Sequence, residues 1–376
     1  MNLSSPSADR ARARATAATR IERVREAMER ERGDWLLIPA SADFRWITGA
    51  PARSTERLVA FALPSRGEPF AVVPRLEAAA LSHECPWLEL EVWDETDDPF
   101  ERLDRRMGLS RGPRVLIGEG MRVAPLLRLA ARVRCHPAAA ALGDLRAVKD
   151  ADELRNLALA AAHADRIVEE AADFMRAGTT EREVATFVMS RFDAAGDREA
   201  WAIVASGANA ALPHHFTSER RLEDGDVVIL DVGAFTEGYG SDITRTYFLD
   251  EPGPEARNVY GIVNQAREAG IAASRPGAAC ESVDRAARER IERAGFGEFF
   301  THRTGHGVGL EVHEPPYLVS GNPARLREGM VHSVEPGIYL PGRFGIRLED
   351  LVAVENAGAR RLNRAPLDPR PPRSRP

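Results

Sequence analysis

The 376-residue chain has few cysteines, no long apolar run and no cluster of basic residues. Its three cysteines, Cys85, Cys135 and Cys280, lie far apart and form no C-x-x-C pair, which argues against a thiolate metal site or a disulfide framework. No segment approaches the roughly 18 consecutive apolar residues of a membrane span. The net charge is −6 and the arginines are scattered, so neither a membrane nor a nucleic-acid partner is expected.

The start of the chain also lacks the charged, then apolar, pattern of a signal peptide, and we therefore expect a cytoplasmic protein. A hydrophobic share of 44% and a charged share of 29% are typical of a folded globular chain. Since single cores rarely grow beyond roughly 250 to 300 residues, the length favours two domains.

Short apolar runs alternate with helical patterns over residues 20–141. The runs "WLLIP", "RLVAFALP", "FAVVP", "LELEVW" and "RVLIGE" predict strands. Helices are predicted near residues 20–32, 75–82 and 123–131. This part of the sequence contains no glycine-rich phosphate loop. We predict a compact α/β domain that contributes no catalytic residue.

The two ends of the chain differ from this pattern. Residues 1–19 are rich in alanine and arginine, as in a transit peptide, but the same bias runs through the whole sequence, which favours a disordered extension. Residues 361–376 form a proline- and arginine-rich tail that should not continue any regular element. Residues 142–152 are polar and predict a linker.

Residues 153–360 predict a second domain with an internal repeat. Helices from 152 to about 195 precede strands from 226 to 249, and helices from about 254 to 294 precede strands from 330 to 355. Each half has an acid two positions before a glycine, at Asp231 and Glu335, and a second acid on the next strand, at Asp242 and Glu349. Two such units facing each other would bring four carboxylates together in the middle of one sheet.

Asp231 and Asp242 flank the turn sequence "TEGYGS", and we expect them to lie directly opposite each other in an antiparallel pair. Two carboxylates this close repel each other unless a cation lies between them. The alternative is an ordinary acid pair in an acid-rich chain, with Asp231 as a turn residue. Glu335 and Glu349 favour the metal hypothesis, because acids inside apolar strands are costly to bury unpaired.

The charge of the cluster predicts the number and kind of ions. Four carboxylates carry −4, which two divalent cations neutralise. Two ions about 3.5 to 4 Å apart are a common hydrolytic arrangement. Oxygen ligands with one imidazole favour Mn²⁺ or Co²⁺, with Zn²⁺ and Fe²⁺ as alternatives.

The stretch "THRTGHGVGLEVHEPP" contains three of the nine histidines. His302 and His306 are four residues apart, the spacing by which a helix presents two zinc ligands. Gly305, Gly307 and Gly309 argue against a helix there. His306, between two glycines, is the better candidate to bind a metal from a loop or short strand.

The remaining histidines of interest have less distinctive surroundings. His332 lies three positions before Glu335 and should face the opposite side of its strand, half-exposed. His214, His215 and His313 lie in the acid-bearing half of the chain. An imidazole there could polarise a scissile carbonyl or protonate a leaving nitrogen, but each could equally be a hydrogen-bonded loop residue.

Four strings together resemble a known family. They are the linker "AVKDADELRNLALAAAHAD", then "ASGANAALPHHFTSERRLEDGDVVILDVGAFTEGYGSDITRTYF", "HRTGHGVGLEVHEPPY" and "GMVHSVEPGIYLPGRFGIRLED". Over about residues 20–360 the sequence is similar to the pita-bread metallopeptidases, in the Xaa-Pro aminopeptidase and prolidase branch. The resemblance implies an α+β fold, with a pseudo-twofold pita-bread catalytic domain preceded by a smaller creatinase-type N-terminal domain.

The resemblance also implies site residues. The metal ligands would be Asp231, Asp242, His306, Glu335 and Glu349, with Asp242 and Glu349 bridging two ions.

His214 and His313 would contact the scissile carbonyl and the transition state, and Arg347 would lie near the metals. Glu335 would in addition transfer a proton. One departure is "FRWITGA", where relatives have a tyrosine-leucine pair, so Trp46 is predicted to alter the substrate wall.

The activity implied is hydrolysis of the bond before proline in short peptides by an Xaa-Pro aminopeptidase, with an Xaa-Pro dipeptidase as the alternative. Relatives that hydrolyse a non-peptide C–N bond, or that only bind partners, typically lack part of the ligand set, which is complete here. The family's N-terminal domain usually contributes to dimer contacts, so a homodimer is expected.

Overall fold

The computed structural model describes residues 6–51 and 54–370, and the chain divides into two compact units, Met1–Arg146 and Ala147–Pro376. This division falls within the predicted linker 142–152. Most of that stretch is helical, because α6 (Ala139–Ala147) continues into it. No helix among the described residues is long and apolar enough to cross a bilayer.

The first unit is built around one mixed sheet of six strands in the order β4-β3-β2-β1-β5-β6. The strands are β1 (Trp35–Pro39), β2 (Ala60–Pro64), β3 (Phe70–Pro74), β4 (Glu89–Trp93), β5 (Val115–Ile117) and β6 (Cys135–Pro137). The helices are α1 (Pro6–Arg30), α2 (Ala42–Thr48), α3 (Arg75–Glu84), α4 (Pro99–Met107), α5 (Val123–Ala130) and α6. The five predicted strands correspond to β1 to β5, while three-residue β6 and helices α2, α4 and α6 were not predicted.

The predicted disordered extension is wrong where the structure describes it. Residues 1–5 lie outside the described residues, but α1 begins at Pro6. Alanine and arginine are strong helix formers, and the second half of α1 is held by burial of Ile21, Val24 and Met28. Of residues 12–19 only Ala17 is buried, so the part of α1 that suggested disorder extends from a packed second half.

Trp46 does not match its prediction. Its side chain lies on α2 and is only 1% exposed, and the Arg20 guanidinium lies 5.0 Å from the centre of its ring. A side chain buried in this way cannot form a substrate wall, and Trp46 instead stabilises the packing of α1 on α2.

The second unit repeats a pair of helices followed by strands. Its helices are α7 (Ala151–Phe174), α8 (Glu181–Ala194), α9 (Pro254–Ala273) and α10 (Cys280–Arg293). The first-half strands are β7 (Arg198–Ser206), β8 (Val227–Thr236), β9 (Tyr239–Gly240) and β10 (Ile243–Phe248). The second-half strands are β11 (Gly305–Gly307), β12 (Glu314–Leu318), β13 (Val331–Val334), β14 (Gly337–Leu340), β15 (Phe344–Arg347), β16 (Asp350–Glu355) and β17 (Gly358–Arg361).

Local sequence signals fix where the first two helices begin. Asp150 and Glu153 form a reciprocal capping box at the start of α7, and Thr180 and Glu183 form another at the start of α8. Both helices then bury an apolar face, which includes Val168 of α7, against β7, β8 and β10. The predicted α+β class and the two-domain organisation are confirmed.

The strands form two main sheets rather than the single sheet predicted. One has the order β10-β8-β7 with β9 paired to β8, the other has the order β12-β11-β13-β16-β17, and β14 and β15 form a separate hairpin. The sheets meet where the Glu349 N–H donates to Thr244 O at 3.1 Å and the Arg347 N–H donates to Thr246 Oγ1 at 3.2 Å. The strands are interrupted at this junction because β15 pairs only with β14, whereas β16 belongs to the five-stranded sheet.

The predicted tail begins later than expected. Residues 362–370 pack on the second unit, where Leu362, Asn363 and Ala365 are buried. Their backbone carbonyls also accept hydrogen bonds, from Tyr260 Oη to Leu367 O at 2.6 Å and from the Phe248 N–H to Pro369 O at 2.7 Å. Proline prevents regular structure here, but it does not prevent packing. The rest of the tail lies outside the described residues.

Candidate metal centre

The second unit contains a cavity of about 610 Å³ at the junction of its two sheets. The lining residues are Trp201, Ile203, Pro213, His214, Asp231, Asp242, His302, Arg303, His306, Val312, His313, Glu335, Arg347 and Glu349. All eight residues that the sequence analysis assigned to metal binding or catalysis are in this set. Residues up to 148 positions apart in the chain, from Trp201 to Glu349, therefore meet in one place.

Three of the four carboxylates lie where strands break. Asp231 is in the middle of β8, whereas Asp242 precedes β10, Glu335 follows β13, and Glu349 lies between β15 and β16. At a break the side chain is freed from strict alternation, so neighbouring strands can direct several acids to one point. The breaks in the sheets thus build the cluster.

The predicted pairing of Asp231 with Asp242 is wrong by two residues. Asp231 pairs with Thr244. The turn consists of Glu237 and Gly238 alone, with φ of 51° and 85°, and the strands continue up to it. Because the two-residue turn is centred one position later than the sequence analysis assumed, the partner of Asp231 lies two residues further toward the C-terminus. Asp242 is consequently diagonal to Asp231, on the same face of the sheet.

His306 lies on β11 and points into the acid cluster. Its Nε2 is 3.1 Å from Glu335 Oε1 and 3.7 Å from Asp242 Oδ2. Asp242, His306 and Glu349 each offer a ligand atom within 4.8 Å of the other two. A Cβ on Gly305 or Gly307 would come within 2.2 Å of a backbone oxygen of β13 or β12. The glycines are therefore needed because flanking strands approach closely on both sides of His306.

The electrostatics of the acid cluster fit a bound cation. Burial and the nearby charge of Asp231 raise the pKa of Asp242 well above its usual range. Burial and the charges of Asp242 and Glu335 do the same for the pKa of Glu349. Glu349 Oε2 accepts from Thr244 Oγ1 at 2.8 Å, but its buried Oε1 has no partner among the described residues. An orphaned oxygen in a crowded acid cluster is what divalent cations would satisfy.

Glu335 differs from the other acids. Burial raises the pKa of Glu335, but the hydrogen bond and charge of His306 outweigh burial and lower the pKa to about 2. Ser333 Oγ also donates to Glu335 Oε1 at 3.2 Å. Glu335 is thus ionised near pH 7.

Arg347 joins the acids to the histidine-bearing segment. It donates from Nη2 to Asp231 Oδ2 at 2.6 Å, and from Nη1 to Pro213 O at 3.1 Å and to Tyr339 Oη at 2.8 Å. The side chain is buried, so these charge-assisted bonds are strong. Arg347 offsets one of the four negative charges, and the remaining −3 still exceeds what one divalent cation neutralises.

The three histidines beside the acids differ in their contacts. The His313 ring centre is 4.1 Å from that of His306, and burial, then the neighbouring His306, lower the pKa of His313 to about 4. His313 is therefore neutral near pH 7. His214 is exposed on the cavity wall. His302 shares a hydrogen bond with Tyr339 Oη at 2.9 Å and so supports Arg347.

His332 is on the face predicted for it, but it is fully buried rather than half-exposed. The reason is that this face of β13 is covered: the adjacent Val334 and Val352 pack against Ile271 of α9. Burial lowers the pKa of His332 to about 4, and its Nε2 has no partner within the described part of the chain.

Sequence reasoning missed the apolar wall and a cation of the cavity. Trp201, Ile203 and Val312 line it with Arg303, whose guanidinium lies 4.6 Å from the Tyr317 ring centre. A Cβ on Gly233 would lie 2.1 Å from the Trp201 ring. A glycine inside an apolar strand signals such a close approach, but it does not name the side chain that approaches.

Another missed residue, Glu181, is the first residue of α8 and is fully buried. Its carboxylate accepts from Ser206, Asn209, His215 and Ser218. Burial raises the pKa of Glu181, but these hydrogen bonds outweigh burial and lower the pKa to about 2. The position in "TTEREV" indicates only a helix start, so no local signal reveals the network.

The Glu181 network predicts an acid-sensitive fold. The folded-state pKa lies below the ordinary value of 4.5, so the stabilisation is fully present above about pH 4.5 and is lost as the pH falls toward 2. We expect Glu181→Gln to remove up to about 3 kcal/mol of unfolding free energy at pH 7 and much less near pH 2. Urea denaturation of both proteins at several pH values measures this. A difference that does not change with pH would contradict the assignment.

Comparison with known proteins agrees with the geometry. Residues 155–356 match the metallopeptidase family M24, and residues 20–148 match the creatinase/prolidase N-terminal domain. The chain is 40% identical over 338 residues to a "Probable dipeptidase PepE" of Mycobacterium tuberculosis, covering 88% of this chain and 90% of that protein.

Two solved structures are similar in fold and sequence. Dipeptidase PepE from Mycobacterium ulcerans has a TM-score of 0.89 at 38% identity and covers 95% of this chain and 98% of its own. A recombinant prolidase from Thermococcus sibiricus has a TM-score of 0.87 at 35% identity, with 93% and 97% covered. The resemblance found in the sequence motifs is confirmed. The chain therefore belongs to the metallopeptidase family M24, in its Xaa-Pro aminopeptidase and prolidase branch, and is a hydrolase that acts on peptide bonds.

Proposed function

We propose that the protein is an Xaa-Pro dipeptidase that binds two divalent cations, with Mn²⁺ as the preferred ion. The observation that carries this proposal is the convergence of four carboxylates and one imidazole on a single cavity. The residues that would hold the ions are Asp231, Asp242, His306, Glu335 and Glu349. Oxygen donors with one nitrogen favour Mn²⁺ or Co²⁺. When bound, such ions polarise a scissile carbonyl and lower the pKa of a water molecule.

The chain's own residues would divide the remaining work. Neutral His313 can donate a hydrogen bond to the developing oxyanion, and exposed His214, which lines the same cavity, can contact the same group. Ionised Glu335 can accept a proton and return it to the leaving nitrogen. Arg347 holds Asp231 in place and offsets its charge.

The apolar wall suits the residue before proline and the proline ring. Trp201, Ile203 and Val312 supply apolar surface, and the bond to proline is a tertiary amide with no N–H to satisfy. A site that makes no hydrogen bond to that missing N–H gives up nothing by accepting proline.

Arg303 favours the dipeptidase over the aminopeptidase that the motifs alone suggested. A dipeptide carries its carboxylate one residue from the scissile bond, and a cation in the cavity wall can pair with it. The M. ulcerans and T. sibiricus proteins bear the names dipeptidase and prolidase, which supports the same choice. A homodimer and a cytoplasmic location remain predictions from the sequence.

The test compares Xaa-Pro dipeptides, their C-terminal amides and Xaa-Pro-Yaa tripeptides, using metal-stripped protein reloaded with Mn²⁺. We expect dipeptide cleavage with a kcat/KM at least about tenfold above the other two. Arg303→Met should lower kcat/KM for dipeptides by about 10- to 100-fold, the value of a charge-assisted hydrogen bond, and leave that for amides unchanged. Equal cleavage of tripeptides would indicate an aminopeptidase, and cleavage of none would refute the peptidase assignment to Xaa-Pro bonds.

A further inference from the structure

The segment that carries His214 has little regular structure to hold it. After the short 3₁₀ helix Gly207–Ala211, residues 212–220 form neither helix nor strand. His214 is nevertheless on the cavity wall. Catalysis by a positioned side chain tolerates little displacement, and about 1 Å can cost about 100-fold in rate. Some other group must therefore fix this segment.

One buried carboxylate, that of Glu181, binds both this segment and the residues just before it. Glu181 Oε1 accepts from the Ser206 N–H at 2.8 Å, from Ser206 Oγ at 2.7 Å and from Asn209 Nδ2 at 3.0 Å. Glu181 Oε2 accepts from the Ser218 N–H at 3.0 Å and from Ser218 Oγ at 2.6 Å, and lies 2.9 Å from His215 Nε2. Two of these donor residues, His215 and Ser218, belong to residues 212–220, while Ser206 ends β7 and Asn209 lies in the 3₁₀ helix. One side chain therefore joins the segment to the regular structure that precedes it.

The start of α8 adds backbone contacts to the same segment. The Glu181 N–H donates to Arg220 O at 3.0 Å, and the Arg182 N–H donates to Ser218 O at 3.1 Å. First-turn N–H groups of a helix have no partner inside the helix, so the segment satisfies them. Glu181 is thus fixed by its own helix while its carboxylate fixes the segment.

His214 lies between two residues that are held from opposite sides. On one side Pro213 O accepts from Arg347 Nη1, and Arg347 also binds Asp231 of the acid cluster. On the other side the His215 ring contacts Glu181. This arrangement fixes both neighbours of His214 and leaves its own ring exposed toward the cavity.

We propose that Glu181 is a positioning residue that holds His214 at the cavity wall, an inference that rests on the substrate contact proposed for His214. Glu181 makes no contact with the proposed metal ligands and acts through His215 and Ser218. Glutamine has an NH₂ group where glutamate has its second carboxylate oxygen. In Glu181→Gln that NH₂ group would face side-chain and backbone donors that now donate to an oxygen of Glu181. The segment would then lose its register relative to Arg347.

The test is a double-mutant cycle between Glu181→Gln and His214→Ala, assayed on an Xaa-Pro dipeptide with the Mn²⁺-loaded full chain. We expect Glu181→Gln to lower kcat by about 30- to 100-fold. KM should stay within about threefold, because His214 is proposed to act on the transition state. Circular dichroism and bound Mn²⁺ should match the wild type. In the His214→Ala background the same substitution should have almost no further effect.

A matched control separates positioning from simple stability. Asp165 of α7 is also a buried carboxylate that accepts from the backbone, at Arg364, but it lies outside the cavity lining. Asp165→Asn should leave kcat within about twofold. If Glu181→Gln does not fold, Ser218→Ala removes a single donor. It should lower kcat by about 3- to 10-fold in wild type and not at all with His214→Ala.

The outcomes distinguish this inference from the proposed function. Full activity of His214→Ala would refute the substrate role of His214. Two other outcomes would overturn the positioning role only, provided that His214→Ala loses activity. In one, the losses from His214→Ala and Glu181→Gln are additive. In the other, Glu181→Gln alone loses no activity.

Discussion

Asp242→Asn is expected to abolish peptide hydrolysis, with a loss in kcat/KM of at least about 1,000-fold. The substitution removes one charged oxygen from a site where the ligand atoms of Asp242, His306 and Glu349 lie within 4.8 Å of one another. Groups that only support metal ligands typically contribute 10- to 100-fold, so Asp242, which we propose as a ligand shared by two ions, should contribute more.

The same substitution should have opposite effects on stability with and without metal. Burial and the charge of Asp231 raise the pKa of Asp242, so its ionised form disfavours the folded state near pH 7 when no cation is present. Metal-stripped Asp242→Asn should therefore melt at a higher temperature than metal-stripped wild type. In excess Mn²⁺ the order should reverse, because only the wild type gains binding energy.

Asp197→Asn is the matched control for Asp242→Asn. Asp197 is buried in the same unit but accepts from Thr236 Oγ1 at 2.7 Å and contacts His163, away from the cavity. Its replacement should lower the melting temperature with or without Mn²⁺ and leave kcat/KM within about twofold. If both variants behaved alike, Asp242 would be a structural acid rather than a metal ligand.

His313→Ala is expected to lower kcat by about 100- to 1,000-fold while both ions remain bound. His313 lies against His306 but is not among the grouped ligand atoms, and its lowered pKa keeps it neutral as a hydrogen-bond donor. Loss of one preorganised donor to an oxyanion costs about this much. Steady-state kinetics and metal analysis of the same preparation give both quantities.

His332→Leu provides the contrast to His313→Ala. His332 is on the opposite face of β13 and is fully buried, so an apolar side chain of similar size should leave kcat within about twofold. If His332→Leu lost as much activity as His313→Ala, the facing of β13 would be wrong. If His313→Ala lost its metal, His313 would be a ligand.

The residues of the site were predictable because they are charged side chains within otherwise apolar strand sequences. Asp231 directly follows the apolar run "VVIL" and Glu335 follows "MVHSV" in a buried strand, and a charge in such a position needs a partner. The register was not predictable, since it depended on whether the turn used two residues or more. A two-residue shift keeps Asp242 on the same face of the sheet as Asp231, so the two acids were correctly predicted to lie close together although their register was wrong.

Other features depend on packing that no local pattern records. The charge count omitted Arg347, whose guanidinium reaches Asp231 only because β15 ends beside β8. Glu181 looks like an ordinary residue of a helical first turn, and its role depends on donors up to 37 positions away. The spacing predicts a half-exposed His332, because the covering helix α9 is distant in sequence and leaves no local signal. Each of these is a long-range contact.

The beginning of the chain was mispredicted because composition was given too much weight. Alanine and arginine in the first twenty residues suggested disorder, yet they favour a helix once one face can pack. Proline at the other end indicated a tail that does not continue a regular element, and residues 362–370 contain no helix or strand, but backbone carbonyls such as Leu367 O still accept hydrogen bonds from the second unit. Composition indicates which secondary structure a segment favours, but burial against the rest of the chain determines whether the segment is ordered.

The proposed function requires that the cluster binds two divalent cations and that both are needed to hydrolyse Xaa-Pro dipeptides. Calorimetric titration of metal-stripped protein with Mn²⁺, with activity followed in parallel on an Xaa-Pro dipeptide, tests it most directly. We predict about two equivalents of Mn²⁺ bound per chain and full activity only after the second. Saturation at one equivalent, or full hydrolysis by the stripped protein, would contradict the account.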